Sequence, residues 1–155
     1  MTLLRAALGW NFVLVTALCA SLLAQFIKVL LNLFIFHRFI AERVWGAGGM
    51  PSSHSATVCA MVVATGRFCG TGSPQFALAA VLSIIVMYDA MGVRYETGEQ
   101  AKLLNRMFTE WMDQSRTELP FLGGKKLKEM VGHTPIEVLT GAALGVALGF
   151  AMPMV

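Results

Sequence analysis

The stretch LGWNFVLVTALCASLLAQFI, residues 8–27, carries no charged side chain from end to end. A helix needs about 20 apolar residues to cross the hydrocarbon core of a bilayer, and a run of this kind leaves a chain few other places to go. PQFALAAVLSIIVMYDAMGV (74–93) and PIEVLTGAALGVALGFAMPMV (135–155) repeat the pattern with one acid apiece. A fourth run, SATVCAMVVATGRFCG (55–70), is shorter and rich in small residues, as suits a helix packed among other helices. Of the 155 residues 56% are hydrophobic and 14% charged, against about a quarter charged in a soluble globule; the mean hydropathy is +0.66. The expected fold is all-α: an integral-membrane helical bundle of about four transmembrane helices plus one or two interfacial or amphipathic helices. A single membrane-embedded domain, 1–155, is expected.

Between the runs the pattern changes. KVLLNLFIFHRFIAERVW (28–45) either extends the first helix or forms a separate interfacial or re-entrant one. GEQAKLLNRMFTEWMDQ (98–114) sets apolar residues at helical spacing against charged ones, which predicts an amphipathic helix on the membrane or the bundle. TELPFLGGKKLK (117–128) reads as a loop. Gly141, Gly145 and Gly149 recur every four residues and predict a ridge for close helix contact. Cys19, Cys59 and Cys69 are scattered in apolar surroundings, expected as buried free thiols, with no disulfide or zinc spacing. No cleavable targeting signal, low-complexity segment or internal repeat stands out.

With four spans, the polar pieces fall on alternating sides. Every Lys and Arg except Arg5 and Arg67 then lies on one face, with residues 28–53 and 94–133. The positive-inside rule makes that face cytoplasmic and turns both termini outward. The net charge of +3 fits anionic headgroups and orientation rather than nucleic acid.

The chemically interesting residues gather on the same face. Lys28 ends the first run, His54 opens the second, Asp89 and Arg94 end the third, and His133 and Glu137 open the fourth. GAGGMPSSHSAT (46–57) offers Ser52 or Ser53 as a helix cap, and GHTPIEV offers Thr134 as cap, Pro135 at the first helical position and Glu137 at the third, a capping-box pattern. Thr134 and Glu137 therefore have a purely structural reading. Two helix starts also present free N–H groups and positive dipole ends to an anion, phosphate above all, and Gly46, Gly48 and Gly49 would let the backbone approach it. Phosphoryl transfer through a covalent intermediate needs a nucleophile and an acid for the leaving oxygen. A carboxylate four residues on, as in His133 and Glu137, can hold an imidazole within one helical turn.

GGMPSSHSA, DAMGVRYETGEQA and GHTPIEVLTG resemble a divergent, small branch of the type-2 phosphatidic acid phosphatase and vanadium haloperoxidase superfamily, over about Gln25 to Gly149. The superfamily pattern is a lysine followed by arginine-proline, then PSGH, then an arginine six residues before a histidine with an aspartate four after it. The resemblance implies His133 as the nucleophile that becomes phosphohistidine, Glu137 in the aspartate's place orienting it, and His54 as the general acid. Ser53 stands where the family has glycine, Ser52 keeps a phosphate-binding hydroxyl, and Lys28 is the first-motif lysine. Two arginines are missing. Ile35 stands seven residues after Lys28, where Arg38 or Arg43 could substitute; Leu127 stands six before His133, flanked by Lys126 and Lys128. Arg94 is a further candidate, and Asp89 a partner for it, for Lys28 or for another cation.

The expected activity is that of a multi-pass cell-membrane lipid-phosphate phosphatase, hydrolysing a phosphomonoester at the cytoplasmic face without cofactor or metal. Phosphatidylglycerophosphate, a substrate linked to the divergent branch, is the leading choice. The expected phosphate-binding set is Lys28, Arg38, Gly49, Ser52, Ser53, Arg94, Lys126 and Lys128. A homo-oligomer is compatible with all of this. Two alternatives stand beside it: a divalent cation held by His54, His133, Asp89 and Glu137, and a non-catalytic lipid-phosphate binding protein or small transporter on the same scaffold.

Overall fold

The computed structural model describes residues 11–36, 49–115, 127–129 and 131–154. Five helices follow one another: α1 (Phe12–Phe36), α2 (Ser53–Cys69), α3 (Pro74–Met91), α4 (Val93–Ser115) and α5 (Pro135–Ala151). No strand occurs among the described residues. Phe12–Phe34, 23 residues, and Pro74–Trp111, 38 residues counted across Gly92, are long and apolar enough to cross a membrane; Pro135–Ala151 is apolar but shorter.

The helix ends follow local chemistry. Ser52 caps α2 and Ser73 caps α3 through their side chains, and Pro74 and Pro135 stand at the start of α3 and α5, where a missing N–H costs nothing. Gly70, at φ +83°, turns the chain out of α2 in a conformation that strains any residue with a Cβ. Helix α1 does not stop at Lys28. The apolar sequence continues for two more turns, so the helix does too, at least to Phe36. The course of residues 37–48 lies outside the described residues.

Helix α2 is the hub. It packs on α1, α3 and α5, whereas α1 and α3 do not meet. The packing is written in residues four apart. Thr16, Ala20, Ala24 and Lys28 form one buried row on α1, and Ala56, Ala60 and Ala64 form another on α2. Gly141, Gly145 and Gly149 line α5, so the expected ridge is a helix contact. A Cβ at Gly141 would strike the carbonyl oxygen of Ser52, one at Gly145 that of Ala56, and one at Gly149 would come within 2.7 Å of Val63. Those pairings rise together along the two chains, so α2 and α5 run parallel. Small residues let helix backbones approach until dispersion contacts hold them.

At the end remote from the sequence motifs, Arg67 of α2 donates to the carbonyls of Gly149, Phe150 and Met152, at 2.5, 3.1 and 2.8 Å. It satisfies acceptors that the end of α5 leaves without intrahelical partners. Its guanidinium also lies 5.7 Å from the ring centre of Phe12, so the start of α1 joins that end. Cys59 is buried as expected, but Cys69, in the last turn of α2, is exposed, because that turn ends at the surface.

The third apolar run breaks at Gly92, and α4 begins five residues before the expected amphipathic segment. Its inner face, Gly98, Ala101 and Asn105, is buried. Leu103, Leu104, Met107 and Trp111 are exposed, an apolar stripe with an aromatic of the kind that settles at a membrane interface.

Candidate active site

The buried rows on α1, α2 and α5 end in functional side chains at the same end of the bundle. Lys28 concludes the row on α1, Ser52 precedes the row on α2, and Glu137 stands four residues before the glycine ridge of α5. The Ser52 N–H donates to the Glu137 carbonyl at 3.0 Å, fastening the two helix starts together. Because α2 and α5 are parallel, their positive dipole ends lie side by side, an arrangement relieved by negative charge placed there.

His133 sits just before α5 and is 2% exposed. Its backbone N–H donates to the carbonyl of Ala90 at the end of α3, at 3.0 Å. Its Nδ1 lies 3.0 Å from Oε2 of Glu137. The same oxygen accepts the N–H of Thr134, the N-cap of α5, at 3.2 Å. One oxygen of Glu137 thus makes both the cap contact and the contact to the His133 ring. The other ring nitrogen of His133, Nε2, is buried with no hydrogen-bond partner among the described residues. A buried polar atom left unpaired is costly; this one is the free end of an imidazole whose orientation is already set.

His54, on the first turn of α2, presents its ring edge-on to that of His133, with centroids 6.1 Å apart and planes at 63°. It remains open to solvent at its rim. Loss of hydration, and then the nearby His133, Arg94 and Lys28, hold its imidazole below the ordinary histidine value.

Lys28 is 3% exposed, and the negative charge of Glu137 reaches it. A buried ammonium needs such company. Gly49, at φ +88°, crosses over its stem: a Cβ there would lie 3.6 Å from Lys28 Cδ. Ser52 and Ser53 are both buried. The Ser52 hydroxyl accepts the Ser55 N–H at 3.4 Å and lies 3.1 Å from the Ser55 hydroxyl, a neighbour that sequence reasoning passed over.

The structure thus brings together Lys28, Gly49, Ser52, Ser53, His54, His133 and Glu137. Arg94 stands at the edge of this group, its Nε 2.6 Å from Oδ2 of Asp89 in a half-exposed ion pair. Asp89 pairs with Arg94 rather than with Lys28. Lys128 is exposed in the 127–129 segment, which is held by α4 and not by the histidines. Arg38 and Lys126 lie outside the described residues.

Asn105 of α4 was not among the expected site residues. Its amide clasps the segment that leads to His133, donating to the Leu127 carbonyl at 2.9 Å and to Glu129 Oε1 at 2.8 Å while accepting the Leu127 N–H at 2.9 Å. Nearer His133, a Cβ at Gly132 would collide with the backbone of Tyr95, so the chain lies flat on α4 there. The one sequence signal was a polar residue four positions from Ala101, on the face that the pattern turns inward. Beside Asn105 a cleft of about 580 Å³ is lined by Glu99, Lys102, Arg106 and Glu129, among others. Its Lys102 and Glu99 pair at 2.6 Å, and no His54 or His133 atom lines it.

A family model described as "Divergent PAP2 family" matches residues 10–148. The chain belongs to the divergent PAP2 family. The chain is also similar to an "Uncharacterized membrane protein YuiD" of Bacillus subtilis (strain 168), 38% identical over 145 residues, covering 89% of this chain and 91% of that protein. No solved structure matches. The match takes in Lys28, His54, Arg94, His133 and Glu137, so this divergent PAP2 protein carries its clustered residues within the part the family shares.

Proposed function

We propose that this membrane protein is a lipid-phosphate phosphatase working through a phosphohistidine at the end of the bundle where His54 and His133 meet. The observation that carries the reading is the state of His133: buried, Nδ1 held by Glu137, and Nε2 without a partner. A structural histidine would bond both nitrogens or reach water; a nucleophile needs one nitrogen held and the other free.

In the proposed reaction Nε2 of His133 attacks phosphorus, forming a P–N bond as the bond to the lipid oxygen breaks. Charge on the equatorial oxygens is met by Lys28, by Arg94 or Arg38, by the hydroxyls of Ser52 and Ser53 and by the Ser53 N–H, with Gly49 giving the ligand room. His54 gives its proton to the departing oxygen, then takes one from the water that attacks phosphorus and breaks the P–N bond. Inorganic phosphate leaves and both histidines return to their starting state. The two rings, 6.1 Å apart between centroids, are too far apart to bond each other and near enough to act on one phosphoryl group at their shared edge.

The substrate proposed is a phosphomonoester on a glycerolipid, phosphatidylglycerophosphate first. Four spans, the two parallel helices α2 and α5 among them, would place the site on the face rich in Lys and Arg, the cytoplasmic one. Phosphate release from phosphatidylglycerophosphate by purified protein, with a metal chelator present, is the test. Release inhibited by vanadate and lost in His133→Ala is expected. A wild-type protein inert on a panel of lipid phosphates that still binds them would instead support the non-catalytic reading.

A further inference from the structure

Two positions at which the superfamily pattern has an arginine hold other residues here. The structure shows what became of one of them. Leu127, six residues before His133, has its backbone clasped by Asn105 on both its N–H and its carbonyl. The segment around it therefore lies along α4, and a side chain at 127 starts from that flank rather than from above His133.

Arg94 starts from a different place. It belongs to the first turn of α4, just after the break at Gly92. The residue two before Gly92, Ala90, accepts the backbone N–H of His133. The residue after Arg94, Tyr95, is pressed against Gly132. The short stretch from Asp89 to Tyr95 is thus held against His133 on one side and against Gly132, the residue before it, on the other. The charge of Arg94 also reaches His54.

The ion pair inside that stretch has a particular form. Asp89 takes the Nε of Arg94 at 2.6 Å. The two terminal nitrogens have no acceptor among the hydrogen bonds of the described residues. Guanidinium can bind a carboxylate through its Nε side and still present its terminal N–H groups to a phosphate. Two exposed side chains five residues apart gain little stability from pairing, so orientation is the larger consequence of the contact.

We infer that Asp89 is a positioning residue that holds Arg94 by its Nε and turns its terminal nitrogens to the phosphate-sized ligand beside His133, in the role left by the missing arginine at 127. The inference rests on the phosphate-site reading above, but not on turnover. It makes Asp89, an acid at the edge of an anion site, favourable to anion binding, where a simple charge count would make it unfavourable.

The test is calorimetric titration of the purified, detergent-solubilised full chain with vanadate, for wild type, Asp89→Asn, Asp89→Glu, Arg94→Lys and the Asp89→Asn/Arg94→Lys double variant. Asp89→Asn and Arg94→Lys are each expected to weaken vanadate binding about tenfold, the scale of one charged hydrogen bond. Asp89→Glu should recover most of the loss. The double variant should bind no more weakly than the weaker single one, since both disrupt the same arrangement. Where turnover is measured, kcat/KM should fall in step with vanadate binding, by about the same factor in each variant. Asp89→Asn binding vanadate as tightly as wild type, or more tightly, overturns the inference. So do additive losses, and so does a wild-type protein that does not bind vanadate. A wild-type protein that binds vanadate with the coupling intact yet releases no phosphate from any lipid overturns the phosphatase reading and leaves the role of Asp89 standing. A thermal melt of each variant identifies one that has failed to fold, and there Asp89→Glu carries the comparison.

Discussion

Oε2 of Glu137 lies 3.0 Å from Nδ1 of His133 and 3.2 Å from the backbone N of Thr134, so one carboxylate oxygen both orients an imidazole and closes the first turn of α5. The two duties can be separated by substitution. Glutamine at the same helix position still caps but removes the negative charge that favours the imidazolium side of the reaction. Glu137→Gln is expected to keep its melting temperature within a few degrees while kcat falls about a hundredfold or more, the scale of a misdirected catalytic histidine. Glu137→Ala should lose activity and about 1 kcal/mol of stability together. Parallel melts and phosphate-release assays check both.

His54 makes a pH prediction. Loss of hydration and neighbouring cationic groups hold its proton affinity below the ordinary value, so less of it is protonated near neutrality than of a free histidine. A general acid works only while protonated. The kcat/KM for a lipid phosphate should therefore rise as pH falls toward that lowered pKa. A bound phosphate dianion favours the imidazolium, so the corresponding limb of kcat should lie at higher pH than that of kcat/KM. His54→Asn should abolish the limb and lower kcat about 10²–10⁴-fold on a lipid ester, and much less on an aryl phosphate whose leaving group needs no proton. A pH–rate series on both substrates is the measurement. A limb that persists unchanged in His54→Asn would assign it to another group.

The glycine ridge predicts a stability effect far from the chemistry. A Cβ at Gly145 meets the carbonyl oxygen of Ala56, part of a helix backbone that cannot step aside. Gly145→Ala should cost about 1–3 kcal/mol, despite the better helix propensity of alanine. Gly72, with nothing within 4 Å of the added carbon, supplies the control: Gly72→Ala should be close to neutral. Unfolding of both in the same detergent gives the comparison.

Asn105→Ala removes three hydrogen bonds to the 127–129 segment and leaves groups at Leu127 and Glu129 without those partners. About 1–3 kcal/mol of local stability should go. The effect should concentrate in residues 127–133 and appear as faster amide exchange there, while α2 and the glycine face of α5 keep their protection.

What could be read from the sequence was what depends on short range. Ser52, Thr134, Pro135 and Glu137 declare helix starts because capping involves neighbours within one turn. His133 and Glu137 declare a pair because four residues is one turn. The ridge of Gly141, Gly145 and Gly149 declared a close contact, though not its partner, the backbone of α2 from Ser52 to Ala60. Lys28 lies beside Gly49 and within reach of the charge of Glu137, but not at the kind of position that the sequence marks. Charge alone marks a span end, whereas its four-residue row with Thr16, Ala20 and Ala24 carries it inside the bundle. The hold of Asn105 on Leu127 spans 22 residues, and no local pattern encodes such a pairing. The choice of Arg94 as the partner of Asp89 was open in the sequence because Lys28 satisfies the same charge rule; only the break at Gly92 decides it.

The lengths of the two parallel helices carry a consequence for the surrounding lipid. Helices α2 and α5 hold 17 residues each, about 25 Å at the rise of an α-helix, while a bilayer's hydrocarbon is about 30 Å thick. With Arg67 covering the last carbonyls of α5, these short helices can end below the usual headgroup level. Where both span, hydrophobic mismatch should pinch the bilayer around them. Headgroups would then sink toward a histidine that the bundle keeps recessed, and the lipid would be delivered by the shape of the membrane rather than by a moving part of the protein.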